Sequence, residues 1–248
     1  AQEALDLALM SFYIAEHKDV ATPFMANLDG FTLTHTYEVV DVPEAEQADE
    51  FLPPYETDNK ISFEDPKNLG FSAGPDTNTE FKYKEHLGIL NARKVIKECE
   101  DKFFKIFNRK YSGLIETYKT EDADFVIVTL GTIAGLVKEV VDDLRDKGQK
   151  VGLLRIRYLR PFPNEEIVEA LKNVKAIGVL EKDISFGNEG TVYTNVNSAL
   201  HKAKLDVVSS NYIAGLGGRN IEKHQIEDIF TRLQSLNHEI VFVGLKEE

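Results

Sequence analysis

Cysteine and tryptophan are the scarcest residues of this sequence, whose 248 residues include one cysteine, Cys99, and no tryptophan. A disulfide needs two thiols, and an iron–sulfur cluster needs about four. A single cysteine therefore excludes both an internal disulfide and a cluster bound by this chain alone. Any cluster that works with this protein must be bound by another chain.

Positive charge is also scarce. The chain has 29 Lys and Arg residues against 42 Asp and Glu residues, which gives a formal net charge of -13. Nucleic-acid partners need a continuous basic surface, so we exclude them. No apolar run approaches the roughly 20 residues of a membrane span, and the N-terminus lacks the basic segment of a secretory signal. We predict a cytoplasmic protein with no membrane partner.

The N-terminal residues indicate the end of an α/β domain. Apolar residues at three- and four-residue spacing from Ala4 to Ala15 predict a helix. Residues 20–28 have the apolar content of a buried strand, although Pro23 weakens its beginning. A short helix is predicted near residues 32–36. Since an α/β domain needs earlier strands, we expect the sequence to begin partway through one.

The middle of the chain combines a long loop with a long helix. Residues 51–85 are rich in proline, glycine and polar residues, and they show little periodicity. Loops of this length are uncommon unless they cover a neighbour, so we predict an ordered arm over another surface. Residues 86–107 have apolar side chains at helical spacing and predict an amphipathic helix. Cys99 falls on its apolar side and is interpreted as a small buried thiol.

Beyond Glu121, strands and helices alternate regularly. Strands that alternate with crossover helices form a mostly parallel sheet covered on both faces, so the predicted fold class is α/β. The strands are predicted at residues 125–130, 151–157, 176–181, 207–213 and 240–243. The helices are predicted at residues 134–147, 164–171, 190–202 and 222–236.

Three loops that follow successive predicted strands define a contact face. The carboxyl ends of parallel strands meet at one edge of a sheet, so these loops are expected to lie together. The candidates for a cleft rim or a subunit interface on this edge are Arg160, Glu181, Gly187, Glu189, Gly217 and Arg219. For Arg160, an ion pair between loop and sheet and a contact with another domain are equally good interpretations.

A second group of candidate rim residues lies near the N-terminus. His35 follows a predicted strand end and is accompanied by Asp29 and Thr34. A hydrogen bond at a helix end is the favoured role of His35, ahead of contact with a substrate. None of the six histidines has a metal-site spacing such as HExxH, so no metal site is predicted from them.

The motifs of residues 122–220 resemble the transketolase C-terminal-like domain of thiamine-diphosphate enzymes. They include Asp-Phe-Val-Ile-Val-Thr-Leu-Gly-Thr at 124–132, Leu-Arg-Pro-Phe-Pro at 159–163 and Ser-Phe-Gly at 185–187. Three further motifs look like the α subunit of pyruvate:ferredoxin oxidoreductase and related 2-oxoacid:ferredoxin oxidoreductases. These motifs are Asp-Gly-Phe at 29–31, Phe-Leu-Pro-Pro at 51–54 and Gly-Leu-Gly-Gly-Arg-Asn at 215–220.

This resemblance implies three parts of the chain. Residues 1–45 would be the tail of a pyrimidine-binding domain, residues 46–118 a connecting arm and long helix, and residues 119–248 a three-layer transketolase C-terminal-like domain. The implied reaction is CoA-dependent oxidative decarboxylation of a 2-oxoacid, with pyruvate the first candidate, to acyl-CoA and CO2, or the reverse. Electrons would pass through iron–sulfur clusters to ferredoxin.

The resemblance also implies that the cofactors lie outside this chain. Thiamine diphosphate with Mg and the 4Fe-4S clusters would be held by other segments or chains, so no catalytic, cofactor-binding or metal-binding residue is predicted here. The implied partners are the missing pyrimidine-domain segment, a diphosphate-binding β subunit, a γ subunit and a cluster-bearing δ subunit, with ferredoxin bound indirectly. The chain alone is expected to be inactive.

Two alternatives remain at this point. One is the C-terminal part of a transketolase-like enzyme or of a 2-oxoacid dehydrogenase β subunit, which would use no ferredoxin. The other is a non-enzymatic interaction domain. The motifs at 51–54 and 215–220 favour the ferredoxin enzymes.

Overall fold

A computed structural model of the chain describes residues 1–70 and 72–246, without the side chain of Thr32. The chain divides into two compact units, Ala1–Gly113 and Leu114–Glu248. Residue 71 and residues 247–248, which fall within the predicted ranges 46–118 and 119–248, lie outside the described residues. The functional assignments of those ranges and of residues 1–45 stay predictions.

The described residues of the first unit form helices joined by extended coil. These helices are α1 (Gln2–Ala15), α2 (Thr32–His35), α3 (Ala45–Phe51) and α4 (Pro75–Phe107). Proline opens α4 because its missing N–H has no helical partner at the first position. Asn108 ends α4 in the left-handed conformation, with φ 54°. Charged residues interrupt α4 throughout, and no helix in residues 1–70 and 72–246 is long and apolar enough to cross a membrane.

Aromatic side chains form the core of the first unit. Phe51 of α3 packs edge-on against Phe103 and Phe107 of α4, with ring centroids 5.3 and 5.8 Å apart. Tyr13 of α1 stacks on Phe51 at 5.4 Å. Cys99 is fully buried in α4, which confirms its interpretation as a buried thiol. Helices α1, α3 and α4 therefore share one small core.

A buried carboxylate holds the end of α4 to α1. Asp6 of α1 is fully buried and accepts two hydrogen bonds from the guanidinium of Arg109, at 2.7 and 2.9 Å. The hydroxyl of Tyr111 donates a third at 2.6 Å. Charge-assisted, bidentate bonds of this kind are among the strongest that a protein makes. The segment after α4 is thereby fixed against α1.

The predicted strand at residues 20–28 is wrong, because the structure has coil there. A strand needs a hydrogen-bonded neighbour, and the described residues of the first unit form no strand that could provide one. Pro23 also removes one backbone donor from the segment. Apolar content alone therefore did not specify a strand.

The predicted loop at residues 51–85 is shorter in the structure. Phe51 belongs to α3, and α4 begins at Pro75 instead of residue 86. A capping box of Glu44 and Gln47 opens α3 within an acidic stretch that had been interpreted as part of a connection. Proline and acidic residues at these positions start helices and do not prevent them.

The second unit is built on one sheet. Its strands are β1 (Ile115–Tyr118), β2 (Phe125–Leu130), β3 (Val151–Ile156), β4 (Ala176–Glu181), β5 (Val208–Ile213) and β6 (Ile240–Phe242). Their order across the sheet is β1-β3-β2-β4-β5-β6. Strand β1 is antiparallel to β3, and the other pairs are parallel. The predicted α/β class with a mostly parallel sheet is confirmed, whereas β1 was not predicted.

Helices cover both faces of this sheet. They are α5 (Ile133–Asp146), α6 (Asn164–Leu171), α7 (Thr191–Lys202) and α8 (Lys223–Leu233). Ile127 of β2 belongs to the core that includes buried residues of α5 and α8. Its neighbours Val126 and Val128 belong to the core formed with α6 and α7. Since successive side chains of a strand point to opposite faces, the unit has the predicted three layers.

The two carboxylates that contact Arg109 allow a matched test of the first unit. We expect Asp6→Ala to destabilise this unit by about 3 kcal/mol, because it leaves a half-buried guanidinium without its bidentate partner. Asp41→Ala removes a contact of the same guanidinium at 2.5 Å, but that carboxylate is exposed, so less than about 1 kcal/mol is expected. Hydrogen–deuterium exchange of the α4 amides measures both variants. Equal effects would contradict the role of Asp6.

Candidate functional site

The carboxyl edge of the sheet is where the loops of the second unit gather. Strands β2 to β5 are parallel, so the loops at residues 131–132, 157–163, 182–190 and 214–222 leave the sheet at the same edge. We call these four segments the edge loops. Of the predicted rim residues, the edge loops contain Arg160, Gly187, Glu189, Gly217 and Arg219.

Glu181 ends β4, but its side chain does not reach the surface, since it is only 4% exposed. Its carboxylate accepts hydrogen bonds from the backbone N–H groups of Val192 and Tyr193 in the first turn of α7, at 2.8 and 3.1 Å. Burial raises the pKa of Glu181, and the hydrogen bonds oppose that rise. Glu181 therefore positions α7 instead of lining a rim.

Asn211 of β5 completes this buried arrangement. Its amide donates to the Glu181 carboxylate at 2.8 Å, and its amide oxygen accepts from the N–H of Gly190 at 2.8 Å. A Cβ atom at Gly190 would lie 2.0 Å from Glu181 Oε1, so this position requires glycine. Sequence analysis missed Asn211 because only the pairing of β4 with β5 brings it beside Glu181.

The loop at residues 182–190 is a tight turn above this base. The N–H of Ser185 donates to the carbonyl of Glu189 at 3.1 Å, and Gly187 takes φ 82°, a conformation that favours glycine. Phe186 stands beside Gly187 at the tip and is 94% exposed. The anchored base therefore presents an aromatic ring to the surroundings.

Glycines shape the next edge loop as well. Gly217 and Gly218 have φ 65° and 82°, and Leu216 beside them is exposed. Arg219 follows and donates a 2.6 Å hydrogen bond to the carbonyl of Gly244. The Arg219 guanidinium is thus held against the segment that follows β6.

Arg160 makes local contacts in the structure. Its guanidinium donates to the carbonyl of Leu159 at 2.6 Å and to the side-chain oxygen of Asn195 on α7 at 3.4 Å. It also lies 5.8 Å from the centre of the Phe162 ring. The exposed Arg160 side chain thereby connects the second edge loop to α7.

Exposed apolar side chains mark the carboxyl edge, and the sequence analysis did not single them out. They are Leu130 at the end of β2, Leu159 and Phe186 in two edge loops, and Leu216 in a third. Each stands next to a glycine or an arginine in the sequence, which is a signal that could have found them. Exposed apolar groups gathered at one place are typical of interaction surfaces.

The N-terminal candidates lie in the first unit. The Nδ1 atom of His35 is 2.9 Å from the Thr34 hydroxyl and 3.1 Å from the carbonyl of Phe31. Both Thr34 and His35 are exposed, and Asp29 is half-buried. These contacts correspond to the helix-end role that the sequence favoured for His35.

The described residues do not fit a metal cofactor. Within residues 1–70 and 72–246, no three His, Cys, Asp or Glu side chains are grouped so that they could hold a metal ion. The Sγ atom of Cys99 lies 3.9 Å from the carbonyl of Met10, and burial raises the pKa of its thiol. Neither the Mg of thiamine diphosphate nor a cluster has ligands here, and no step through either group follows from these residues.

Comparison with known proteins gives two family matches in sequence order. Residues 1–101 match the pyruvate flavodoxin/ferredoxin oxidoreductase domain described as thiamine-diphosphate-binding. Residues 123–226 match the pyruvate:ferredoxin oxidoreductase core domain II. The chain belongs to the pyruvate:ferredoxin oxidoreductase family.

Individual relatives agree with this assignment. The chain is 40% identical over 247 residues to pyruvate synthase subunit PorA of Methanothermobacter thermautotrophicus, with 100% of the chain and 63% of the relative covered. It is 41% identical over 229 residues to ketoisovalerate oxidoreductase subunit VorA of Pyrococcus horikoshii, with 92% of the chain and 58% of the relative covered. The chain thus spans less than two thirds of the length of these relatives.

One solved structure with a similar fold is the 2-oxoglutarate:ferredoxin oxidoreductase from Magnetococcus marinus. It is 19% identical, with a TM-score of 0.40, and covers 66% of this chain and 24% of its own. The family assignment therefore rests on sequence.

Gly190 and Gly74 allow a matched test of the Glu181 anchor. Both glycines precede a helix with similar extended backbone, but the space around Gly74 is open. We expect Gly190→Ala to destabilise the second unit by about 2–4 kcal/mol, because the new methyl group displaces the Glu181 carboxylate. Gly74→Ala should change stability by less than about 1 kcal/mol.

Hydrogen–deuterium exchange measures this difference locally. The α7 amides report on Gly190→Ala, and the α4 amides report on Gly74→Ala. Unchanged protection of α7 in Gly190→Ala would show that the Glu181 anchor does not hold the helix.

Proposed function

We propose that this chain is part of the α subunit of a 2-oxoacid:ferredoxin oxidoreductase complex. The complex would oxidatively decarboxylate a 2-oxoacid with coenzyme A to an acyl-CoA and CO2, or catalyse the reverse. Two electrons would leave one at a time through clusters to ferredoxin. The observation that supports this most is 40% identity to a pyruvate synthase subunit along the whole chain.

Pyruvate is the proposed substrate, because the relative aligned over the full chain is named a pyruvate synthase subunit. A branched-chain 2-oxoacid is the second candidate, since the ketoisovalerate oxidoreductase subunit is 41% identical over 92% of the chain. Assays with both acids separate the two. Residues that select the acid are not among the candidate rim residues.

The role we propose for the chain is assembly, with the cofactors bound by other parts of a cytoplasmic complex. Its single buried cysteine supports this, because a 4Fe-4S cluster needs about four thiolates. In such enzymes the cofactors perform the chemistry, while the protein supplies placement and electrostatics. Thiamine diphosphate with Mg would be held by the missing pyrimidine-domain segment and a diphosphate-binding subunit. The γ and cluster-bearing δ subunits would complete the complex.

Exposed apolar groups of the first unit support an assembly role. Large apolar side chains stand fully in solvent along its coil segments, among them Tyr37, Val39 and Phe63. Met25 and Phe31 are also strongly exposed. Soluble proteins seldom expose so many neighbouring large apolar residues without a partner to cover them. We propose that other parts of the complex cover this unit, with Asp29, Thr34 and His35 at the rim of the cofactor cleft.

The edge loops supply the second proposed contact face. Gly187, Glu189 and Gly217 shape the backbone there, while Arg160 and Arg219 add exposed cations to the apolar tips. An apolar centre with arginines is a composition enriched at protein interfaces. Glu181 would keep this face in shape from within.

Activity provides the first test of the proposal. The chain alone should not reduce a viologen dye with pyruvate and coenzyme A, because it lacks ligands for the clusters. Recombined with the chains that co-purify with it, it should support that reduction. His35→Ala in the assembled complex should lower the rate by less than about tenfold, since loss of a general acid or base costs about 10²–10⁴-fold.

Two outcomes would contradict these expectations. Turnover by the isolated chain would exclude a purely assembling role. Complete loss of activity in a correctly assembled His35→Ala complex would place His35 in the chemistry.

The tip residue Phe186 tests the contact face. Phe186→Ser should leave the stability of the chain within about 0.5 kcal/mol, because the ring is exposed, yet it should weaken assembly. Leu236→Ser is the control, since Leu236 is also exposed but lies in the loop that leads into β6, at the opposite edge. Co-purification of the partner chains measures assembly. Equal assembly of both variants would remove the edge loops from the interface.

A further inference from the structure

The N-terminal part of α4 is exposed on every side. All residues from 75 to 87 are exposed, and the first buried residue of this helix is Gly88. An isolated helix of about 13 residues is only marginally stable in water. This part of α4 therefore has the character of a helix that is completed by contact with another chain.

One face of α4 has a regular pattern of exposed residues, which we call the α4 seam. Its residues follow one another at alternating intervals of four and three, the spacing of a coiled-coil contact line. At about 100° per residue they fall within a stripe of roughly 100° on one side of the helix. The seam consists of Asp76, Glu80, Tyr83, Leu87, Leu90, Lys94 and Lys97, all exposed.

The order of side chains along the seam is acidic, apolar, then basic. In a parallel pair of such helices, like charges would face each other at both ends. In an antiparallel pair centred on Leu87, Glu80 would face Lys94 of the second copy and Asp76 would face Lys97. Tyr83 would face Leu90, and the two Leu87 side chains would meet at the centre.

We propose that the α4 seam pairs with the α4 seam of a second copy of this chain, antiparallel and across a two-fold axis. The charge pattern is self-complementary only in this arrangement, and a two-fold axis makes such an interface closed. Opposite charges at matched positions of facing helices set partner choice and orientation. This proposal does not depend on the oxidoreductase function.

The surroundings of the seam fit a second helix. A shallow groove runs beside its basic half, lined by Leu90, Asn91 and Lys94 together with Asp19. In the antiparallel arrangement this groove receives Tyr83 of the second copy. The Lys94 side chain is 81% exposed, and its 3.4 Å ion pair with Glu98 is a weak surface contact that leaves it accessible.

Charge reversal tests the pairing in the full chain. Sedimentation equilibrium should give a dimer for the unaltered chain. An acidic-end variant, Asp76→Lys with Glu80→Lys, and a basic-end variant, Lys94→Glu with Lys97→Glu, should each weaken the dimer at least about tenfold. Mixing the two variants should restore association as a heterodimer, because each then meets opposite charges.

A matched control reverses charges away from the seam. Lys82 and Glu85 form an ion pair at 2.6 Å on another side of α4. Lys82→Glu with Glu85→Lys should leave the dimer unchanged. Circular dichroism of all variants checks that each is folded. A monomeric unaltered chain, or variants that fail to form a heterodimer, would overturn the proposal and assign the seam to a different subunit.

A disulfide provides a second, geometric test. Leu87→Cys should form an intermolecular disulfide under mild oxidation, because the two-fold axis brings the two copies of this residue together. Glu85→Cys, on another side of α4, should remain largely uncrosslinked. Cys99 is fully buried, so it does not compete. Equal crosslinking at both positions would overturn the antiparallel pairing centred on Leu87.

Discussion

The buried carboxylate of Glu181 is the contact on which the candidate interaction face of the second unit depends. It satisfies N–H groups in the first turn of α7 and the amide of Asn211, so one side chain joins β4, β5 and α7. Buried charge is tolerated only where hydrogen bonds replace water, and three donors do so here. The exposed loop that includes Phe186 begins directly after this anchored point.

The first unit uses the same principle with a different partner. Asp6 is buried beneath Arg109, and the pair secures the segment that follows α4. The aromatic core around Phe51 is small in comparison with the apolar side chains that this unit leaves in solvent. Family membership explains this imbalance, because the related α subunits are longer than the chain, and proposals of assembly follow from it.

Two surfaces of the chain thus invite different partners. The edge loops combine apolar tips with the cations of Arg160 and Arg219, a composition suited to another subunit of an enzyme complex. The α4 seam has a charge order that matches itself in reverse, which suits a second copy of the same chain. One chain with both surfaces could join unlike subunits and also bring two such assemblies together.

The sequence by itself determined the periodic elements of the second unit, from Phe125–Leu130 to Ala176–Glu181, because buried strands and amphipathic helices have distinct local patterns. It also determined the family, through motifs such as Gly-Leu-Gly-Gly-Arg-Asn at 215–220. Tertiary structure alone decided that residues 20–28 form no strand and that Glu181 is internal. A strand requires a neighbour, and the position of Glu181 depends on Asn211, which is 30 residues away in sequence and adjacent only through the pairing of β4 with β5.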